Sequence, residues 1–276
     1  MIALIVALAF IAAVLLTFGG FQLAFVISDK RAEVWHPDYE AVDLDPVLAK
    51  ASPLDGNDYR LLYNQTGLTK KGIDRALSHG SDGVEKIKAI QNSYFTERTV
   101  RQNYFAPLIC TDHIYDTAEP IFLEDGDILV TSSTHFSSFR VGHAALVADG
   151  ANYTIFQATQ VGDESGFVDV GNFTNRINFM VLRLKDEVAD NELRAKIVEY
   201  AVTNLIGKPY NPFCGIITNK NKCDQTMCSH VVWYAFKQFG IDLDSTGGAV
   251  VSPRDIARSP YLELVQVFGF NPQKLW

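Results

Sequence analysis

The chain has no run of lysine or arginine, and Asp and Glu (32) outnumber Lys and Arg (24), for a formal net charge of -8. A phosphate backbone needs a basic footprint, so no nucleic-acid partner is expected. Low-complexity segments and internal repeats are also missing. Cysteine is sparse, with Cys110, Cys214, Cys223 and Cys228 making up the full set of four. They leave the compartment open: outside the cell, Cys214 and Cys223 are the natural disulfide pair, and in the cytosol all four stay reduced. Cys214, Cys223, Cys228 and His230 are separated by eight, four and one residues, which matches no common zinc knuckle or ribbon. No cofactor or metal is expected.

Charge is absent altogether from Ile2 to Ser28, where Thr17, Gln22 and Ser28 are the only polar side chains. That run exceeds the roughly 20 residues that span a bilayer as a helix. A cleaved signal would carry a basic stretch ahead of a shorter apolar core and a small-x-small site behind it. Neither is present, so an uncleaved single-pass anchor is the expected partner of the membrane. Lys30 and Arg31 follow the run, beside Asp29 and Glu33, and the positive-inside rule then weakly favours a cytoplasmic domain.

With 276 residues, 47% of them apolar, the chain can bury a sizeable core. Three parts are expected: an anchor over 1–29, a linker and helical subdomain over 30–119, and a catalytic-size domain over 120–276. Pro37, Pro46 and Pro53 mark the linker. Thr69, as a cap, opens a helix through Ile73, Ala76 and Leu77 that stops at Gly80, and a second helix runs from about Val84 to Tyr94. Strands follow at Gly126–Thr131, Val141–Val147, Tyr153–Ala158 and Phe179–Leu184, separated by a Ser/Thr/His-rich loop at 132–140 and turn residues at 148–152. Their meander order predicts a largely antiparallel sheet. Helices return at Glu187–Ile206, from Cys228 to Gly240, and after Ser252-Pro253.

Cys228 falls in the first turn of its helix, with Asp224 or Thr226 as the cap. Unpaired N–H groups and the positive end of the macrodipole favour a thiolate there and could receive an oxyanion. Val231, Val232, Ala235 and Phe239 continue its stripe, which points the thiol at the sheet. Taken alone, the residue also fits an inert buried cysteine. A nucleophilic cysteine needs a base, and His143, directly after Gly142 at a strand start, can supply it. If Val147 pairs with Tyr153, His143 stands opposite Gln157 and shares a face with Ala145 and Ile155. Among the other histidines, His135 is expected to be exposed in its loop, His113 to precede the sheet without a partner, and His230 to point away from Cys228. His36 and His79 lie further off.

Taken in order, Gly126-Asp127-Ile128-Leu129, Val141-Gly142-His143-Ala144-Ala145-Leu146-Val147, Ile155-Phe156-Gln157-Ala158, Gly207-Lys208-Pro209-Tyr210 and Cys228-Ser229-His230-Val231-Val232-Trp233 resemble the circularly permuted NlpC-type, papain-like cysteine amidases over about residues 120–260. His143 precedes Cys228, which is the permuted order. The resemblance implies an α+β papain-like fold, an antiparallel sheet packed against helices. It also implies Cys228 as nucleophile, His143 as general base and acid, and Gln157 as the residue that orients the imidazole. Family members often carry a carboxylate in place of Gln157, an aromatic residue in place of Met227 and an acidic one in place of His230. The implied reaction is hydrolysis or transfer at an amide or ester carbonyl, with peptidoglycan stem peptides and lipid amides or esters as substrate classes. It also leans toward an extracytoplasmic domain, against the charge rule.

Overall fold

A computed structural model describes residues 2–30, 32–50, 54–106 and 108–275. Met1, Arg31 and Pro53, which entered the reading of the anchor, its orientation and the linker, lie outside the described residues. The helices are α1 (Ile2–Lys30), α2 (Asp45–Leu48), α3 (Gly56–Thr66), α4 (Lys70–Leu77), α5 (Ser81–Phe95), α6 (Gly171–Thr174), α7 (Asn191–Asn204), α8 (Cys228–Lys237) and α9 (Pro253–Ala257). The strands are β1 (Val100–Ala106), β2 (Ile109–Ile114), β3 (Ile128–Thr131), β4 (Thr134–Phe136), β5 (Phe139–Arg140), β6 (His143–Asp149), β7 (Thr154–Gln157), β8 (Gly166–Asp169), β9 (Phe179–Leu184) and β10 (Leu262–Phe268). The class is α+β: two antiparallel sheets, of order β10-β9-β3-β6-β7-β8 and β1-β2-β4-β5, behind an apolar N-terminal helix.

The larger sheet is buried on both faces. Alternation along the strands sends Ile128, Val130, Ala144, Leu146, Met180 and Leu182 to one side, against α7 (Ile197, Ala201), α8 (Val231, Val232, Ala235) and α9 (Ile256). Leu129, Ala145, Val147, Ile155 and Val181 go to the other side, against Leu62, Ile73, Ala76, Ile87 and Ile90 of α3–α5. Residues on both sides of position 120 therefore share one core. Gly67 shows how close the helical layer comes: with φ at 71°, it ends α3 where a Cβ would stand 2.1 Å from the Val267 carbonyl oxygen.

Several local expectations change. The segment read as linker contains α2 and the start of α3, and the stretch from Val100 to Arg140 holds four strands that the sequence reading placed in a helical subdomain and a loop. These strands are short and partly polar, so period-2 alternation is weak there. Thr69 is the N-cap of α4 without capping it, because its hydroxyl donates to the Leu264 carbonyl at 2.6 Å and so ties α4 to β10. In the β6–β7 hairpin Val147 pairs with Ile155 rather than Tyr153. Asp149 accepts from the Asn152 backbone N–H and side chain (2.9 and 2.8 Å), and Tyr153 takes a positive φ of 51° inside the turn, so β7 starts at Thr154. The shift is two residues and preserves the face.

The helix α1 is long and apolar enough to cross a membrane, with a mean hydropathy of 2.8 over a window none of which is buried. Its last turns meet the small sheet. Phe25 is buried against Tyr104 and His135, and the Phe21 carbonyl accepts from Ser137 Oγ at 2.9 Å.

Between the layers, Arg183 of β9 makes a two-pronged pair with Asp127, Nε to Oδ1 at 2.7 Å and Nη2 to Oδ2 at 2.8 Å, with both side chains essentially unexposed. Removing one member strands the other charge. Arg183→Met is expected to destabilise the protein by about 3–5 kcal/mol in chemical denaturation, whereas breaking the exposed Lys196–Glu192 pair with Lys196→Ala should leave the denaturation midpoint essentially unchanged.

Candidate functional site

Cys228 is the first residue of α8, behind an extended Met227 that is the N-cap and offers no side-chain cap. Neither expected cap acts, since Thr226 Oγ1 bonds His230 Nδ1 at 2.9 Å instead. The first-turn N–H groups thus donate no bond to an N-cap side chain. The sulfur lies 4.0 Å from Ser229 Oγ. Burial pushes the thiol above its ordinary value, while the backbone N–H groups of Ala144 and Ser229, the Ser229 hydroxyl and the charge of Arg176 pull it back.

His143 opens β6 after Gly142, whose φ of 73° turns the chain into the strand. Its side chain lies on the Ala145 face, away from α8, with the Phe173 ring at 5.7 Å. Nε2 is 2.7 Å from Gln157 Oε1, and Gln157 Nε2 donates to Asn172 Oδ1 at 3.2 Å. Continuing the hairpin register puts Gln157 opposite Ala145, so it reaches His143 along the diagonal. An amide oxygen facing Nε2 places the ring proton there and leaves Nδ1 as the acceptor. Burial, then the charge of Arg176, push His143 down to about 3, so the ring is neutral at physiological pH. Among the described residues its only hydrogen-bond partner is Gln157, and no hydrogen bond joins it to the Cys228 thiol.

Arg176 was not among the residues singled out from sequence. It is 5% exposed, stacks over Phe173 at 5.2 Å and donates to Thr134 Oγ1 at 3.3 Å, and its Nε finds no partner. Among the described residues no carboxylate pairs with it. Burial lowers it to about 10, and the charge that a Cys228 thiolate would carry opposes that. Tyr210 is also missed. It is held beside the start of α8 by a bridge to Thr226, and burial followed by proximity to Cys228 pushes its phenol up. Nothing local in Phe173–Ile177 marks Arg176, since its role depends on what the fold leaves unpaired. Tyr210 lay within one of the resemblance segments but carried no assigned role.

The remaining histidines are committed elsewhere. His230 has both ring nitrogens bonded, to Thr226 and to the Lys220 carbonyl at 2.8 Å, which also removes it from any zinc set with Cys214 and Cys223. His113 lies within β2 and bonds Asn175 Oδ1 at 2.9 Å, and so has a partner after all. His135, expected to be exposed, is fully buried in β4, because the loop around it folds into the small sheet and α1 covers it. All four cysteines are free and buried. A cleft of about 900 Å³ between α4, α7 and the segment 122–125 ahead of β3 does not include Cys228 or His143, which are 6% and 4% exposed. No family model, curated protein or solved structure matches the chain.

His143, His113 and His230 are all held below the ordinary value of 6.5 by burial. Above that value they cost nothing, and below it the unfolded chain binds protons that the folded chain refuses. Stability should therefore fall with pH, by up to about 1.4 kcal/mol per unit for each such ring. Melting temperatures measured from about pH 8 to pH 5 should drop less steeply below 6.5 for His143→Gln than for the unsubstituted protein. Identical slopes would show that His143 titrates freely.

Proposed function

We propose that the chain is a membrane-anchored cysteine hydrolase of the permuted papain-like kind that cleaves an amide or ester bond through an acyl-enzyme. The observation that carries this reading is that Cys228 opens α8 at an N-terminus without a side-chain cap, within the field of Arg176, a buried guanidinium that no carboxylate among the described residues pairs. Both favour negative charge at a group that burial alone would keep protonated. For the thiol proton to reach His143 Nδ1 the ring has to swing round the end of β6 from the Ala145 face when substrate binds; sulfur then attacks the acyl carbon, and the oxyanion is received by N–H groups at the α8 N-terminus. The imidazolium then protonates the leaving amine or alcohol. Water attacks the thioester while His143 takes its proton, and the acid leaves with Cys228 restored.

Gln157, itself held by Asn172, fixes the tautomer but steadies the imidazolium less than a carboxylate would. Arg176 supplies positive charge from the sulfur side instead. Exposed Phe105, Phe136 and Phe139 on the small sheet, beside the end of α1, suit a domain seated at the membrane interface. The substrate is then a cell-wall peptide or a lipid amide within reach of the bilayer, with the domain outside the cytoplasm. A second reading, a non-catalytic peptide- or lipid-binding module, draws on the covered site and the lack of a hydrogen bond between the thiol and the His143 ring.

Incubation with a panel of activated amides and esters should leave an acyl adduct on Cys228 detectable by mass spectrometry. Cys228→Ala should abolish turnover and His143→Ala lower it at least ~10²-fold. Arg176→Met should slow iodoacetamide labelling of Cys228 without lowering the melting temperature, since an unpaired buried charge is removed. Uniform slow labelling of all four cysteines with no adduct would favour the binding module.

A further inference from the structure

A second cluster lies on the small sheet, where the end of α1 meets it. Asp29 at the end of α1, Cys110 and Asp112 of β2 and His135 of β4 each bring one ligand atom to within 4.8 Å of all the others. The placement follows from strand geometry. Cys110 is the register partner of His135, and Asp112, two residues on, shares the Cys110 face. Cys110, Asp112 and His135 are completely buried, and Asp29 closes the group from the helix.

The two carboxylates and the imidazole are each tethered by one atom and aim the other inward. Arg140 Nη1 donates to Asp112 Oδ2 at 2.5 Å, and Tyr104 Oη donates to Asp29 Oδ2 at 2.6 Å. His135 Nδ1 donates to the Ser137 carbonyl at 2.6 Å, which leaves Nε2 with a lone pair. Asp29 Oδ1, Asp112 Oδ1 and His135 Nε2 consequently face one another, and none has a hydrogen-bond partner. Three acceptors cannot satisfy one another without a cation or an added proton. The separations from Nε2, 3.3 Å to Asp29 Oδ1 and 3.5 Å to Asp112 Oδ1, are long for hydrogen bonds. They match the edge of a tetrahedron built from metal bonds of about 2.0–2.1 Å.

We propose that these four residues bind one divalent transition-metal ion, zinc by preference, with a thiolate, an imidazole nitrogen and two carboxylate oxygens as ligands. Thiolate and imidazole donors select against magnesium and calcium. The tethers from Arg140, Tyr104 and the Ser137 carbonyl are the outer contacts that orient metal ligands. Binding converts the Cys110 thiol to thiolate and releases its proton to solvent. Two carboxylates and a thiolate against Arg140 and a dication then sum to zero charge. An adjoining cleft of about 460 Å³ that includes Asp29, Glu33 and His36 offers the ion a way in. Because Asp29 belongs to α1, the metal would clasp the apolar helix to the domain, apart from any chemistry at Cys228.

The test uses the full-length chain in detergent, purified without chelators and assayed for metal, then stripped and titrated with Zn²⁺ or Co²⁺. About one equivalent of metal is expected, with a sulfur-to-cobalt charge-transfer band and the visible absorption of tetrahedral Co²⁺. Cys110→Ser should lose the charge-transfer band while Cys214→Ser keeps it. The surface variant Tyr104→Phe, chosen because it spares the core, should weaken zinc about 10-fold or more. An unsubstituted chain that takes up neither ion at stoichiometric level overturns the proposal, leaving a protonated His135 paired with the two carboxylates. A band that persists in Cys110→Ser also overturns it.

Discussion

The larger sheet is antiparallel yet covered on both faces, and the rest of the fold answers that demand. An antiparallel sheet commonly leaves one face to water. Here β3, β6 and β9 carry apolar side chains in both directions, so one helical layer is required on each side. Helices α3–α5 supply one and α7–α9 the other. The Asp127–Arg183 pair sits unexposed in the sheet, tolerable because both of its prongs are hydrogen bonded.

A doubly covered sheet opens only at its ends, and the end of β6 is where the reactive groups gather. Cys228 opens α8, which packs on the Ala144 side of the strand, and alternation puts His143 on the Ala145 side, near Phe173. That explains how the Ala144 N–H can act on the thiol while no hydrogen bond joins the thiol to the ring one residue earlier. It also explains why both are so dry. In such a place a charge must be matched locally, and Arg176 and the sulfur are the unmatched pair.

Much of this was legible in the chain. Alternation located β3, β6, β7 and β9, and the Ser252-Pro253 start of α9 is realised as a capping box with Asp255. The face shared by His143 and Gln157 came through even though the assumed register was off by two, because strand period is two. The small sheet was illegible: its strands are short, mixed in polarity and built around His135, which sequence alone takes for a loop residue. Arg176 and Asn172 gave no signal and Tyr210 no role of its own, since each matters through neighbours far away in the chain.

The amino-acid order by itself determined the apolar helix, the α+β class, the positions of the main strands and helices, and the candidacy of Cys228, His143 and Gln157. These depend on local periodicity, capping and turn chemistry, which operate within a few residues. Tertiary structure alone decided that α1 docks on a second sheet, that Arg176 is buried without a carboxylate, and that Asp29, Cys110, Asp112 and His135 meet. Such facts depend on which polar groups the fold removes from water and which partners it then brings within reach, and no local pattern encodes that.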